Sequence, residues 1–203
     1  MDRLRLRCNT LRVLPFFPVL QTGIEIPIEN GMSVQAILSE ICGLTDAVIK
    51  DRIQTLFLNG NPVDDFTTAT VNPGDTLALS AAMPGLVGAT MRSAGKLACF
   101  RSSISHRSKP SQVNRSTGTV SLKLFNLMLK ELGPGFLSRG VLISANKIND
   151  FLNGFSSEDR QACDHVTLNG KAIDLADLER TAWQEEMIEL QVSFAGQPDG
   201  PHH

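Results

Sequence analysis

The chain has 203 residues, of which 42% are hydrophobic and 20% charged, with a formal net charge of −2. These are the proportions of an ordinary globular protein with a packed core, and they exclude a disordered chain. No uninterrupted apolar run of about 18 residues is present, so no segment qualifies as a bilayer-spanning helix and cytoplasmic residence is the expectation.

In chain order, Arg3, Arg5 and Arg7 alternate with Leu4 and Leu6. A period of two marks a half-buried strand, where a secretory signal would carry a continuous apolar core. The stretch Leu14-Pro15-Phe16-Phe17-Pro18 reads as a long loop whose Phe16 and Phe17 look exposed and make a candidate contact. Ile24, Ile26 and Ile28 alternate around Glu25 and Pro27 as a second strand, predicted to close a hairpin with the first. Ser33 is placed to cap a helix on which Val34, Ile37, Leu38 and Ile41 fall on one face. The strand over 53–58 ends at Asn59-Gly60, a pair suited to the left-handed geometry of a tight hairpin turn, and Val63 resumes pairing. Asn72-Pro73-Gly74-Asp75 supplies one more turn before a last strand over 76–81.

The same order returns about 110 residues later, as expected of a structural unit built twice. Val120, Leu122 and Leu124 form the first strand, Gly133-Pro134-Gly135 reads as a loop, and Val141 with Ile143 forms the second strand. Ile148, Phe151, Leu152 and Phe155 give the helix face, and His165-Val166-Thr167-Leu168 runs into Asn169-Gly170. Ile188, Leu190 and Val192 form the last strand. A helix packed on a small mixed sheet, written twice, predicts an α+β chain of two tandem β-grasp (ubiquitin-like) domains. The predicted boundaries are 1–85 for the first domain, 86–118 for a basic hairpin and linker, 119–196 for the second domain and 197–203 for a disordered tail.

The segment Leu56-Phe57-Leu58-Asn59-Gly60, with Val63 and Pro73-Gly74-Asp75-Thr76-Leu77-Ala78-Leu79, resembles the second half of the ThiS/MoaD family of small sulfur carriers. The resemblance covers residues 3 to 85 and, more faintly, 119 to 196. It implies an adenylating (E1-like) enzyme as partner and a C-terminal Gly-Gly that becomes a thiocarboxylate. The matching positions here read Pro84-Gly85-Leu86-Val87-Gly88-Ala89, so the glycine pair is lacking and carrier chemistry would require trimming near Gly85 or Gly88.

Between Asp75 and Glu131 there is no acidic residue, while Arg92, Lys96, Arg101, Arg107, Lys109, Arg115, Lys123 and Lys130 all fall inside. Residues 89–101 read as a hairpin and 102–118 as a Ser-rich flexible linker. Only Phe100 and Phe125 interleave with this charge, a pattern that favours a solvated connector or an acidic protein partner over a nucleic acid. Gly85, Leu86, Val87 and Gly88 read either as a docking strip or as a strand running on from the first sheet.

No catalytic constellation stands out. Cys8, Cys42, Cys99 and Cys163 have no paired spacing, which argues against a metal site and for free thiols. Cys99 is the one candidate nucleophile, because Lys96 and Arg101 could lower its pKa, yet no base accompanies it. His106 stands alone in the linker, and His202 with His203 makes no coordination shell. The reading is therefore a non-catalytic protein-interaction module without cofactor or metal. Its partner-binding candidates are Phe16, Phe17, Gly85, Leu86, Val87, Gly88, Arg92 and Arg101. The alternative is a trimmed sulfur carrier.

Overall fold

In a computed structural model of the chain, residues 1–9, 13–81, 85–93, 95–96, 101, 105, 116–178, 180–181, 183 and 185–195 are described, with Leu86 and Val87 as backbone only. Among them no helix is long and apolar enough to cross a membrane.

The first half runs β1 (Asp2–Cys8), a 3-10 turn (Leu14–Phe16) leading into α1 (Phe17–Thr22), β2 (Ile24–Glu29) and the short β3 (Met32–Ser33). It continues through α2 (Val34–Ala36), a π-wound extension (Ile37–Ile41), α3 (Asp46–Arg52), β4 (Thr55–Leu58), β5 (Asn61–Pro62), β6 (Thr70–Val71) and β7 (Thr76–Ser80). After α4 (Gly85–Met91) the second half repeats the plan: β8 (Thr117–Phe125), α5 (Leu127–Arg139), β9 (Val141–Ser144), α6 (Ala145–Asn153), α7 (Ser157–Ala162), β10 (Cys163–Leu168), β11 (Lys171–Ala172), α8 (Leu175–Leu178) and β12 (Met187–Phe194). The fold is mixed α+β.

Three local readings are corrected by packing. The Phe16 loop is helical: Pro15 presets the first turn, and Gly23 ends α1 at φ 111°, which turns Phe16 inward to 1% exposure. The Gly133-Pro134-Gly135 segment, expected as a loop, is likewise helix, inside α5. A Cβ on Gly133 would come within 2.7 Å of Leu20 Cδ1, so this glycine serves close helix packing and not a turn. Finally, Ile41 is exposed and Cys42 is buried in its place. The Cys42 amide donates to the Ile37 carbonyl, and this wider π turn rotates the apolar face by one position.

The chain divides into two compact units, residues 1–24 with 129–203, and residues 25–128. These are not the sequence halves that the predicted boundaries at 85, 118 and 196 mark out. In the first unit the strand order is β11-β10-β1-β12-β9, with β1 parallel to β12 and antiparallel to β10. In the second it is β2-β8-β7-β4-β5, with β7 parallel to β8. The first strand of each half thus belongs to the unit built mainly from the other half. The expected hairpin of β1 with β2 does not form, β1 pairing with β10 and β12 instead, and the reason is physical. A helical connection frees β1 from its neighbour in sequence, and alternating stripes such as Leu4-Leu6 and Leu122-Leu124 specify a face and not a partner. Leu4, Leu6, Cys8, Val120, Leu122 and Leu124 are all buried.

The repeated Leu-Asn-Gly does one job twice. Asn59 and Gly60 have φ of 51° and 79°, and Asn169 and Gly170 have 53° and 80°. The Asn59 amide oxygen accepts from the Thr76 N–H at 2.8 Å while its NH2 donates to Asp75 at 2.7 Å. Asn169 accepts from the Arg3 N–H and donates to Asp2, each at 2.9 Å. In the first unit β1 therefore takes the place that β7 takes in the second. Substituting Asn169→Ala removes both bonds and leaves alanine in a left-handed conformation, so the urea midpoint is expected to fall by the equivalent of about 1–2 kcal/mol.

Candidate functional site

The residues 25–128 unit holds an open cleft of about 710 Å³. One wall is α3, presenting Asp46 and Lys50, with Gln35 of α2 beside it. Thr45 caps α3 by accepting from the Val48 N–H, and Gln35 donates to the Asp46 carboxylate at 2.9 Å. The opposite wall is the loop 64–67, fixed by the Gln35 N–H donating to the Phe66 carbonyl at 2.8 Å. Asp65 accepts from both the hydroxyl (2.6 Å) and the N–H (2.9 Å) of Thr67, and these bonds hold its carboxyl below the ordinary carboxylate value.

The third wall is the segment after α4. Ser93 donates its N–H to the Gln54 carbonyl at 2.9 Å and its hydroxyl to the Val63 carbonyl at 2.8 Å. Behind it lies Arg101, whose side chain is only 2% exposed. Its guanidinium donates to both carboxylate oxygens of Asp64 (2.6 and 3.1 Å), to the Thr90 and Arg92 carbonyls (2.6 and 3.0 Å) and to the Ser105 hydroxyl (2.7 Å). All five donors of the fork are occupied, so this buried cation is fully paired and ties the basic insert to the loop that carries Asp64.

Lys50 and Arg92 line the same cleft, and neither side chain has an ion pair or hydrogen bond among the described residues. Two unspent cations face an opening whose floor includes Ile49 and Ile53, which are 3% exposed. The described lining contains no histidine or cysteine, and the one serine hydroxyl is engaged by Val63.

The structure distributes the sequence candidates unevenly. Arg92 lines the cleft and Arg101 braces it. Gly85, Leu86, Val87 and Gly88 lie in α4, where a hairpin or a strand running on from the sheet is expected from sequence, and Gly85 enters it at φ 79°. The side chains of Leu86 and Val87, together with Cys99, His106 and residues 197–203, lie outside the described residues. Phe16 is in the core of the other unit and cannot serve as a free contact, while Phe17 is half-buried. Asp64 and Lys50 carry no signal in the sequence that singles them out as site residues. The signal that points to Asp64 is a carboxylate placed where a lone buried arginine must be neutralised, and it needs the fold to be seen. No family model, curated protein or solved structure matches the chain.

Proposed function

We propose that the chain is a non-catalytic protein-interaction module of β-grasp, ThiS/MoaD-related kind, whose cleft takes an acidic segment of a partner protein. The observation that carries this reading is the pair of unspent cations, Lys50 and Arg92, over an apolar floor. An extended segment could place a carboxylate between them and lay an apolar neighbour on Ile49 and Ile53, so that charge supplies orientation and burial supplies affinity. The central parallel pair of strands and the helices between β2 and β4 are compatible with β-grasp architecture. An adenylating enzyme is the partner class that the sequence resemblance offers. The carrier alternative requires a native form ending at Gly85 or Gly88, which the intact mass of the protein from its host would reveal.

The test is a peptide array probed with the full-length protein and with a Lys50→Glu/Arg92→Glu variant. Glu- and Asp-bearing peptides are expected to be retained by the wild type and to bind the variant at least about tenfold more weakly, because like charges then meet at the contact. Equal binding by both proteins, or preference for basic peptides, would overturn the assignment.

A further inference from the structure

Outside the cleft, the residues 1–24 and 129–203 unit holds two thiols in contact. Cys8 ends β1, Cys163 begins β10, and their sulfurs are 3.0 Å apart, although 155 positions separate them in sequence. We propose that Cys8 and Cys163 form a redox modification site, a cross-strand dithiol that a small neutral hydroperoxide converts to a disulfide.

The backbone is arranged for this. Along the antiparallel β1–β10 pair, Leu6 faces Val166 and Arg7 faces His165, so an unbroken register would set Cys8 opposite Asp164. A bulge between Arg7 and Cys8 skips Asp164 and brings Cys163 opposite Cys8. The extra residue turns outward, where Asp164 pairs with Arg7 through two hydrogen bonds of 3.2 Å. A bulge re-aims side chains, and here it removes a carboxylate from the buried face and substitutes a thiol. Directly opposed residues of an antiparallel pair have Cα atoms about 4.5–5.5 Å apart, within the span that a disulfide bridges.

The two sulfurs have different roles. Cys8 is 2% exposed, and the neighbouring Cys163 and burial push its thiol far above the ordinary value. Cys163 is half-buried, and the hydrogen bond from Cys8 lowers its pKa against burial and the carboxylates of Asp159 and Asp164. Cys163, the less buried of the two sulfurs and the one an oxidant meets first, is thus the attacking one. A narrow crevice lined by Pro15, Phe16, Phe155 and Asp159 reaches the pair. Apolar walls and the Asp159 carboxylate select a small uncharged oxidant over a bulky anionic disulfide such as oxidised glutathione.

The chemistry balances without another reagent. The Cys163 thiolate attacks the outer oxygen of the hydroperoxide, the O–O bond breaks, and the departing alkoxide or hydroxide takes up a proton. The Cys8 sulfur then attacks the resulting sulfenic sulfur, forming the S–S bond as hydroxide leaves with the Cys8 proton as water. The two sulfurs together lose two electrons, and the peroxide gains them.

The test treats the full-length protein with hydrogen peroxide or with oxidised glutathione, blocks remaining thiols by alkylation, and reads intact mass and a non-reduced peptide map. Peroxide is expected to remove the mass of two hydrogens, join the Cys8 and Cys163 peptides, and raise the melting temperature by about 5–10 °C, all reversed by dithiothreitol. Cys163→Ser is expected to abolish the link. Cys8→Ser is expected to leave a Cys163 sulfenic acid that dimedone traps. A link through Cys42 or Cys99, a link between molecules, or no link in the wild type under peroxide would each overturn the proposal.

Discussion

Replacing Phe16 with alanine is expected to cost about 3–5 kcal/mol, the range for emptying a fully buried aromatic site. Its ring is 1% exposed and lies 5.2 Å from Phe151, 5.7 Å from Phe155 and 5.8 Å from Phe194, centroid to centroid. Two of these pairs are edge-to-face, a geometry worth about 0.5–1.5 kcal/mol beyond the area buried. The cluster joins the turn before α1, the α6 helix and the end of β12, so its loss loosens three elements at once. The neighbouring Phe17→Ala serves as control: a half-buried ring is expected to cost about 1 kcal/mol or less. Urea unfolding followed by the single tryptophan, Trp183, whose indole donates to Asn149 on α6, reports the event from within the same unit. A cost for Phe16→Ala as small as that for Phe17→Ala would mean that the aromatic cluster contributes no special packing.

Phe16 also shows where the sequence is legible and where it is not. Period-two stripes locate Leu4-Leu6, Ile24-Ile26-Ile28 and Ile188-Leu190-Val192, and all of these are buried in strands. Asn59-Gly60 and Asn169-Gly170 have the positive φ values that their turn chemistry requires. These are local properties, fixed by a residue and its immediate neighbours. What escapes is nonlocal. An aromatic beside two prolines resembles an exposed loop until three other rings, each from a distant segment, close around it. Gly133 resembles a turn until Leu20 is found where its side chain would be. The partner of β1 is likewise invisible, because its leucines would suit the sheet of either unit. At the cleft, charge patterning singles out Arg92 and Arg101, but the difference between a cation facing an opening and one buried against Asp64 depends on tertiary placement.

That difference sets the second large effect. Asp64→Ala is expected to destabilise the protein by about 3 kcal/mol, because it leaves a buried guanidinium with two of its five donors unpaired. The value belongs at the low end of the range for broken buried pairs, since the Asp64 side chain is 40% exposed and water can enter from its side. Arg101→Met should cost less: the apolar replacement occupies the same space, and the stranded carboxylate turns to solvent. The order of the two single variants is the informative quantity, because a pair worth only its mutual attraction would lose the same amount from either end. In the double variant Asp64→Ala/Arg101→Met no buried charge remains, so it is expected to be more stable than Asp64→Ala alone despite carrying one more substitution. Because Arg101 also holds the Thr90 and Arg92 carbonyls, the double variant should unfasten the segment after α4 and weaken acidic-peptide binding even where stability is recovered. Equilibrium urea unfolding of the three variants decides the energetics. A cost for Asp64→Ala within the 0–1 kcal/mol of an exposed ion pair would show that Arg101 is hydrated in solution and does not fasten the cleft wall.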